Sequence, residues 1–324
     1  MEEQNNEPNL KETQHEEPHG DKDFDPMRNK NLPRISPITI ALIGLFGGFF
    51  LYQIVGGLLT LLVFGFNIND ASVNGLRLMT IAGQILFILL PALIFAKVFY
   101  EDVGHIIRFK FPKWEEFILF AIGIIVLTSL IQYYLSIQNY FIDLWSVNSS
   151  LIKTVKTFLD KVNDMVDKTY GNLLSAKTIF DVILVIIVVS VVPAICEETM
   201  FRGFIQKSFE FKIKPFWAAL ITAVFFGLYH FNPYGLIPLI ALGFYFGFAA
   251  YTSNSIFIPM SLHFLNNFLA IIFYFIYGND DVINTAITKN FDLYSSLLIM
   301  LGLTALFGVI IFFIKRYYSR TNNS

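Results

Sequence analysis

The sequence has little charge and almost no cysteine. Only 15% of its 324 residues are charged, and Cys196 is its single cysteine. One cysteine excludes an internal disulfide and any zinc site made of several cysteines. The low share of charge, beside 55% hydrophobic and 17% aromatic residues and a positive mean hydropathy, excludes an ordinary soluble domain. The composition instead predicts a polytopic membrane protein.

The first 36 residues differ from the rest of the chain. They carry acidic side chains among Asn, Gln and Pro, and almost nothing apolar that a core would bury. Such a composition predicts a disordered acidic tail over residues 1–36. No cleavable signal peptide is expected at this end, because a polar stretch precedes the first apolar run.

Eight apolar runs follow the tail, and we compared each with the ~20 residues that a helix needs to span a bilayer. The runs cover residues 38–66, 77–99, 115–138, 178–196, 215–231, 234–251, 256–277 and 292–314. We therefore predict an all-α fold, a polytopic membrane helix bundle of about eight transmembrane helices.

Lysine and arginine are concentrated in alternate loops, and this distribution predicts the orientation. Basic residues precede the first run, join the second to the third, follow the fourth and end the chain, so both termini are expected in the cytoplasm. We expect a multi-pass protein of the cell membrane, with a bacterial plasma membrane as its location. The predicted parts after the tail are transmembrane helices 1–3 at 37–140, an external segment at 141–177, a core of helices 4–7 at 178–277, and the last helix with a basic cytoplasmic tail at 278–324.

The segment 141–177 has apolar residues at helical spacing within a polar sequence. This spacing predicts an amphipathic external helix that lies on the membrane or on the bundle. The apolar positions are Val147, Leu151, Val155, Phe158, Leu159 and Val162.

Two adjacent glutamates follow the fourth apolar run, in the pattern Glu197-Glu198-x-x-x-Arg202. Carboxylates are costly at the end of a membrane segment, so this pair is the first place to look for chemistry. On a continuous helix Glu198 and Arg202 are i, i+4 neighbours and neutralise each other. Glu197 is rotated from Glu198 by about 100° and is left without a local partner.

Two further polar patterns interrupt the later helices: Phe226-x-x-x-His230 and His263-x-x-x-Asn267. A turn near Ile213 lies 16 residues after Glu197 and 17 before His230, so an antiparallel hairpin places these two side chains at one level. The hairpin stem, including Lys207, Glu210 and Lys212, is too polar for hydrocarbon and is expected to project into the cytoplasm. The three patterns are therefore expected to converge in one cavity within the cytoplasmic half of the membrane.

Such a cavity has two chemical interpretations. A carboxylate beside an imidazole can hold a water and take its proton, while a second imidazole and an amide stabilise the oxyanion of an attacked peptide carbonyl. Alternatively, Glu197, His230 and His263 are three ligands of the kind that hold a catalytic divalent metal such as zinc. Both lead to hydrolysis of an amide within the membrane.

The ordered set Glu-Glu-x-x-x-Arg, Phe-x-x-x-His and His-x-x-x-Asn on apolar helices resembles the CPBP (Abi) family of intramembrane proteases, which includes the type II CAAX prenyl endopeptidase and bacterial proteins linked to bacteriocin immunity. The match covers residues 178–277. The resemblance implies that Glu197 activates water with help from His230, and that His263 and Asn267 form the oxyanion site. It also implies that Glu198 with Arg202 holds the helix, and Phe226 is expected to pack against His230 and position it.

The resulting hypothesis is an endopeptidase that cuts a CAAX-type or bacteriocin-related substrate near the cytoplasmic face. Its expected partners are a peptide or membrane-protein substrate and the lipid bilayer, with no nucleic acid. Two alternatives stay open from the sequence. One is a non-enzymatic immunity or scaffold protein, and the other is an ion-coupled transporter in which the polar residues form a relay.

Overall fold

The apolar runs of the sequence form helices in the computed structural model, which describes residues 33–65, 71–277 and 292–321. These residues contain helices and no strands, because a backbone surrounded by lipid must satisfy its polar groups within its own segment. The ten helices of the described residues are α1 (Pro37–Phe64), α2 (Val73–Tyr100), α3 (Val103–Ile106), α4 (Trp114–Asn148), α5 (Ser150–Leu174), α6 (Ile179–Glu210), α7 (Pro215–Tyr229), α8 (Leu236–Ser253), α9 (Phe257–Tyr277) and α10 (Leu293–Thr321).

Seven of these helices are long and apolar enough to cross a membrane: α1, α2, α4, α6, α8, α9 and α10. The predicted all-α membrane bundle is confirmed, and the chain is a multi-pass membrane protein. The eighth predicted span is the 15-residue α7. At 1.5 Å per residue α7 is about 22 Å long, which is less than the ~30 Å thickness of a bilayer's hydrocarbon core.

Helix α7 ends two residues before the end of the apolar run at 215–231. His230 caps the helix, and Phe231 then adopts a positive φ of 48° that turns the chain out of the helical path. The chain then continues through an irregular stretch to α8. Within this stretch the Asn232 side chain accepts a hydrogen bond of 2.7 Å from the Gly235 amide. His230, the histidine of the Phe226 pattern, therefore lies at a helix end.

Part of the predicted organisation lies outside the described residues. This applies to residues 1–32 of the predicted acidic tail 1–36, and to residues 278–291 at the start of the predicted part 278–324.

The predicted amphipathic helix is present as α5, although it begins at Ser150 because α4 continues to Asn148. The Ser149 side chain caps α5 by accepting a hydrogen bond from the Ile152 amide. Of the predicted apolar stripe, Leu151 and Phe158 are 73% and 65% exposed. Helix α5 packs against α4 and α2, and Leu159 and Val162 of the stripe are partly buried. The exposed apolar residues face outward, as in helices that lie at a membrane interface.

Part of the polar end of α6 is buried in the bundle, whereas the sequence predicted a stem that projects into the cytoplasm. Gln206 and Ser208 are fully buried, and they donate hydrogen bonds to the carbonyls of Gly247 and Phe204, respectively. Lys212, just beyond the helix, is exposed. Glu210 forms an ion pair with Arg108. The depth of the site in the membrane, which was counted from that stem, therefore stays a prediction.

Arg108 joins three parts of the chain at this end of the bundle. Its guanidinium donates hydrogen bonds to the Arg202 carbonyl of α6 and to Glu210, and its own carbonyl accepts from the Ile256 amide at 3.0 Å. The side chain is buried, and the backbone holds a positive φ of 56°. These contacts connect the α3–α4 loop to α6 and to the α8–α9 turn.

The apolar interior of the described residues contains two large buried clusters and a small third one of Leu174, Val185 and Ile271. One large cluster packs α1 and α2 around Phe201, Phe204 and Ile205 of α6. The other large cluster packs α4 and α10 against α8 and α9 through residues such as Phe120, Tyr245 and Leu262. The polar site described below lies between the two large clusters.

Close packing of α4 on α8 depends on Gly123. The buried Tyr245 hydroxyl donates to the Phe120 carbonyl at 2.8 Å, and a Cβ at position 123 would overlap this hydroxyl. We expect Gly123→Ala to lower the free energy of unfolding by about 1–3 kcal/mol, because a well-packed interior does not absorb an added methyl group. The measurement is the thermal unfolding midpoint of the purified protein in detergent.

Gly308→Ala is the matched control for this prediction. Gly308 is an exposed helical glycine of α10, and an added Cβ there meets nothing within 4 Å. We expect its midpoint to stay unchanged or rise slightly, since alanine favours a helix over glycine. Equal midpoints for the two variants would contradict the packing argument.

Candidate active site

The paired glutamates lie in a short α-helical stretch between two π-helical segments of α6. The segments Ile187–Val191 and Thr199–Ile205 flank Val192–Glu198. Extra residues per turn re-aim the side chains that follow, and such π-turns occur often at functional sites. The two glutamates differ in exposure: Glu198 is fully buried, whereas Glu197 is partly accessible and lines a cavity.

Glu198 forms the centre of a buried polar network. Its Oε1 accepts from Arg202 Nη1 at 2.9 Å, which is the i, i+4 pair that the sequence predicted. The same oxygen lies 2.8 Å from Nδ1 of His263 on α9. Arg202 also donates to the Gly243 carbonyl of α8 at 3.0 Å, and its guanidinium carbon lies 4.3 Å from the centre of the Phe226 ring. One carboxylate therefore connects α6 to α9, and its arginine connects α6 to α7 and α8.

The partner of His263 differs from the sequence-based expectation, which placed this histidine near Glu197. A carboxylate oxygen only accepts, so His263 carries its proton on Nδ1 and donates it to Glu198. The ring stacks on Phe246 with centroids 5.3 Å apart and planes 15° apart. Since His263 also lines the cavity, Nε2 is the ring nitrogen that remains for a ligand.

His230 is oriented by the backbone of its own helix. Its Nδ1 lies 2.7 Å from the Phe226 carbonyl, and a carbonyl only accepts, so Nδ1 carries the proton. In the neutral ring Nε2 is then an acceptor. The rings of Phe226 and His230 lie 4.7 Å apart, so Phe226 contacts this histidine through both its carbonyl and its side chain.

Asn267 lies in the same cavity wall as His263, one turn further along α9. Its Nδ2 donates to the Val189 carbonyl at 2.8 Å, in the first π-helical segment of α6. Its Oδ1 accepts from Asn266 at 3.1 Å, and Asn266 in turn accepts from Thr128 of α4 at 3.2 Å. An amide nitrogen carries two hydrogens, so Asn267 retains one donor beyond the bond to Val189.

Glu197 has one oxygen with a partner and one without. Gln84 of α2 donates from Nε2 to Oε1 of Glu197 at 2.9 Å. Oε2 is buried and has no hydrogen-bond partner among the described residues. A buried carboxylate oxygen of this kind is a site at which water or substrate can donate a hydrogen bond.

The four predicted catalytic residues, Glu197, His230, His263 and Asn267, line one cavity of about 1390 Å³. The cavity extends from the glutamates to α5 and to the second half of α4. Sequence reasoning missed three groups in its wall: Gln84, Asn266 and the polar face of α5. A single amide within the apolar run 77–99 was a signal for Gln84, and a second amide beside Asn267 was a signal for Asn266.

The chain is similar to known proteins over one segment. Residues 179–269 match the family model described as type II CAAX prenyl endopeptidase Rce1-like. The predicted resemblance to the CPBP family is confirmed for this segment. A curated protein named "Putative membrane peptidase YdiL" of Bacillus subtilis (strain 168) is 35% identical over 102 residues, which are 30% of this chain and 42% of that protein. The chain thus matches less than half the length of this relative, and no solved structure matches it.

The CPBP segment, residues 179–269, contributes Glu197, His230, His263 and Asn267 to the cavity, whereas α2 and α5 lie outside it. A zinc site built from Glu197, His230 and His263 is not supported by this arrangement. The described residues contain no group of three His, Cys, Asp or Glu side chains that could hold a metal. The predicted term metalloprotease is therefore not supported.

The polar face of α5 forms the far wall of the cavity. Asp160 accepts from the hydroxyl of Tyr234 at 2.5 Å and from Lys156 at 2.9 Å, and Lys156 lies 3.5 Å from Asp143 of α4. Burial alone would raise the pKa of Asp160, but the hydrogen bonds from Tyr234 and Lys156 outweigh it and hold this pKa below its usual value. The hydrogen bond to Asp160 also raises the pKa of Lys156. These contacts hold α5 against the irregular stretch that follows His230.

We expect Tyr234→Phe to loosen α5, because it removes the hydrogen bond between Asp160 and the stretch after His230. At pH 7 the amides of α5 near Asp160 should exchange hydrogen for deuterium faster than in the wild type. A lowered carboxyl pKa contributes stability above the unfolded value of about 3.9 and loses it as the pH falls through the folded value. The difference in the exchange rate of these amides between variant and wild type should therefore shrink at pH 3. Tyr294→Phe, an exposed tyrosine of α10, is the control, and equal exchange of α5 in both variants would contradict the prediction.

The two glutamates are expected to differ in their effect on stability. Glu198→Gln leaves the buried Arg202 guanidinium without its counter-charge, so it should lower the free energy of unfolding by up to about 3–5 kcal/mol. Glu197→Gln removes no ion pair and should cost less than about 1 kcal/mol. Thermal unfolding midpoints in detergent test the contrast, and a larger loss for Glu197→Gln than for Glu198→Gln would contradict it.

Proposed function

We propose that this protein is an intramembrane endopeptidase that hydrolyses a peptide bond with a water activated by Glu197 and His230. One observation carries the proposal. In a single cavity, Glu197 presents an oxygen without a partner, and His230 has its Nδ1 proton committed to a carbonyl, so that Nε2 is an acceptor. Two acceptors in one polar cavity suit a water molecule that donates both of its hydrogens.

In the proposed reaction the water donates hydrogen bonds to Oε2 of Glu197 and to Nε2 of His230. Its oxygen attacks the peptide carbonyl carbon while Glu197 takes one proton. The carbonyl π bond opens to give a tetrahedral oxyanion, and Glu197 returns the proton to the leaving amine as the C–N bond breaks. The products are a carboxylic acid and an amine.

The oxyanion needs donors, and we assign this role to His263 and Asn267. A protonated His263 keeps its Nδ1–H on Glu198 and offers Nε2–H to the cavity, and Asn267 offers its second amide hydrogen. Glu198 stabilises the positive charge on the imidazolium, and Arg202 holds Glu198 in place. The family match supports this assignment of roles over a non-enzymatic immunity or scaffold protein and over a transporter.

The proposed substrate is a CAAX-type or bacteriocin-related peptide, or the tail of a membrane protein. The distribution of lysine and arginine supports a chain with both termini in the cytoplasm, and the Bacillus relative supports a bacterial plasma membrane.

Glu197→Gln tests the proposed function. We expect cleavage to fall by at least about 100-fold, because an amide cannot take the proton of the water, while the fold is retained. The measurement compares the membrane peptides that accumulate in cells with wild type and with the variant at matched expression. Glu115→Gln, an exposed glutamate at the start of α4, is the control and should match the wild type. Indistinguishable peptide pools for wild type and Glu197→Gln would contradict the protease function.

A further inference from the structure

Gln84 of α2 contacts the glutamate of the site from outside the CPBP segment. The side chain is 4% exposed and lies in a helix that is otherwise largely apolar, immediately before the π-helical segment Ile85–Leu89. Its Nε2 donates to Oε1 of Glu197 at 2.9 Å across the two helices. The Tyr52 hydroxyl of α1 lies 3.5 Å from the same nitrogen.

This hydrogen bond has a direct effect on the geometry of Glu197. The carboxylate end of a glutamate turns freely about its last bond unless one oxygen is held. With Oε1 held by Gln84, Oε2 is the oxygen left without a partner. A donor to a carboxylate also stabilises its charged form, which is the form that takes a proton from water.

Resting on the proposed function, we propose that Gln84 is a positioning residue of the reaction. It orients Glu197 through Oε1 so that Oε2 faces the water. Helix α2 therefore takes part in the chemistry, although the three motifs lie on α6, α7 and α9. The acceptor Oε1 of Gln84 is itself buried and has no partner among the described residues, so it is available to a peptide N–H of the substrate or to a water.

A purely structural role for Gln84 has a different consequence. A buried amide that only links α2 to α6 contributes to stability, and its loss would lower the amount of folded enzyme without changing the turnover of each folded molecule. A positioning role instead lowers kcat and leaves KM nearly unchanged, because the interaction acts on the transition state.

The test uses Gln84→Met, which preserves length and burial but removes the donor. The substrate is the membrane peptide that accumulates in cells carrying Glu197→Gln, synthesised with a fluorescent reporter. We expect kcat per folded molecule to fall roughly tenfold to a hundredfold, the value of a hydrogen bond to a charged group, with KM within about twofold. Gln138→Met is the matched control, since Gln138 of α4 also donates an amide hydrogen bond to another part of the chain, the Tyr234 carbonyl at 3.0 Å, and is not among the residues that line the cavity; it should retain wild-type kcat.

Gln84→Glu provides a second readout, the pH dependence of kcat, with a side chain of nearly the same shape as glutamine. When it is protonated, the introduced carboxyl group can donate a hydrogen bond to Glu197, whereas its ionised form repels that glutamate. The kcat of this variant relative to wild type should therefore fall as the pH rises, and a constant ratio would overturn the proposal.

The outcomes separate this inference from the proposed function. Wild-type kcat in Gln84→Met, or an equal loss in Gln138→Met, overturns the positioning role while Glu197→Gln still shows loss of cleavage. If Gln84→Met does not fold, Gln84→Glu decides the question through its pH dependence. If no peptide accumulates with Glu197→Gln, the proposed function fails, and the role of Gln84 fails with it.

Discussion

The arrangement of the site depends on one buried ion pair, between Glu198 and Arg202. Taking both charges out of water is expensive, so the pair is tolerated only where further polar groups complete it. Here the carboxylate also accepts from His263, and the guanidinium also donates to the Gly243 carbonyl and lies over the Phe226 ring. These contacts reach α9, α8 and α7 from α6. The two side chains of the pair together therefore link four helices around the cavity, and His263 takes its orientation from the glutamate.

The second constraint is the local geometry of α6. A regular α-helix has 3.6 residues per turn. In α6, however, one π-helical segment lies a few residues before the glutamates and another begins directly after them. The carbonyl groups of such segments accept bonds from other parts of the chain: Val189 accepts from Asn267, and Arg202 accepts from Arg108. The π-helical segments thus provide the backbone carbonyls that accept hydrogen bonds from α9 and from the α3–α4 loop, and so attach both to α6.

Local rules predicted the parts of this structure that depend on neighbouring residues in the chain. The length of apolar runs predicted the helices, and i, i+4 spacing predicted the pairing of Glu198 with Arg202. The same rules could not find the partners that lie on other helices. His263 is bound to Glu198 and Gln84 to Glu197, across 65 and 113 residues of sequence. The polar end of α6 was expected to project because its residues suit water, yet Ser208, Gln206 and Glu210 find partners inside the bundle, in carbonyls of α6 and α8 and in the buried Arg108.

Helix α7 is shorter than a bilayer's hydrocarbon core is thick, and the chain after it is irregular as far as α8. Irregular backbone at membrane depth is stable only where protein covers it or where it lines a wet cavity, because lipid offers no hydrogen bonds. Most of this stretch lines the cavity, beginning with His230 itself. The early end of α7 therefore does more than present a histidine: it leaves backbone groups that water in the cavity can satisfy, and water is the reagent that the proposed hydrolysis consumes.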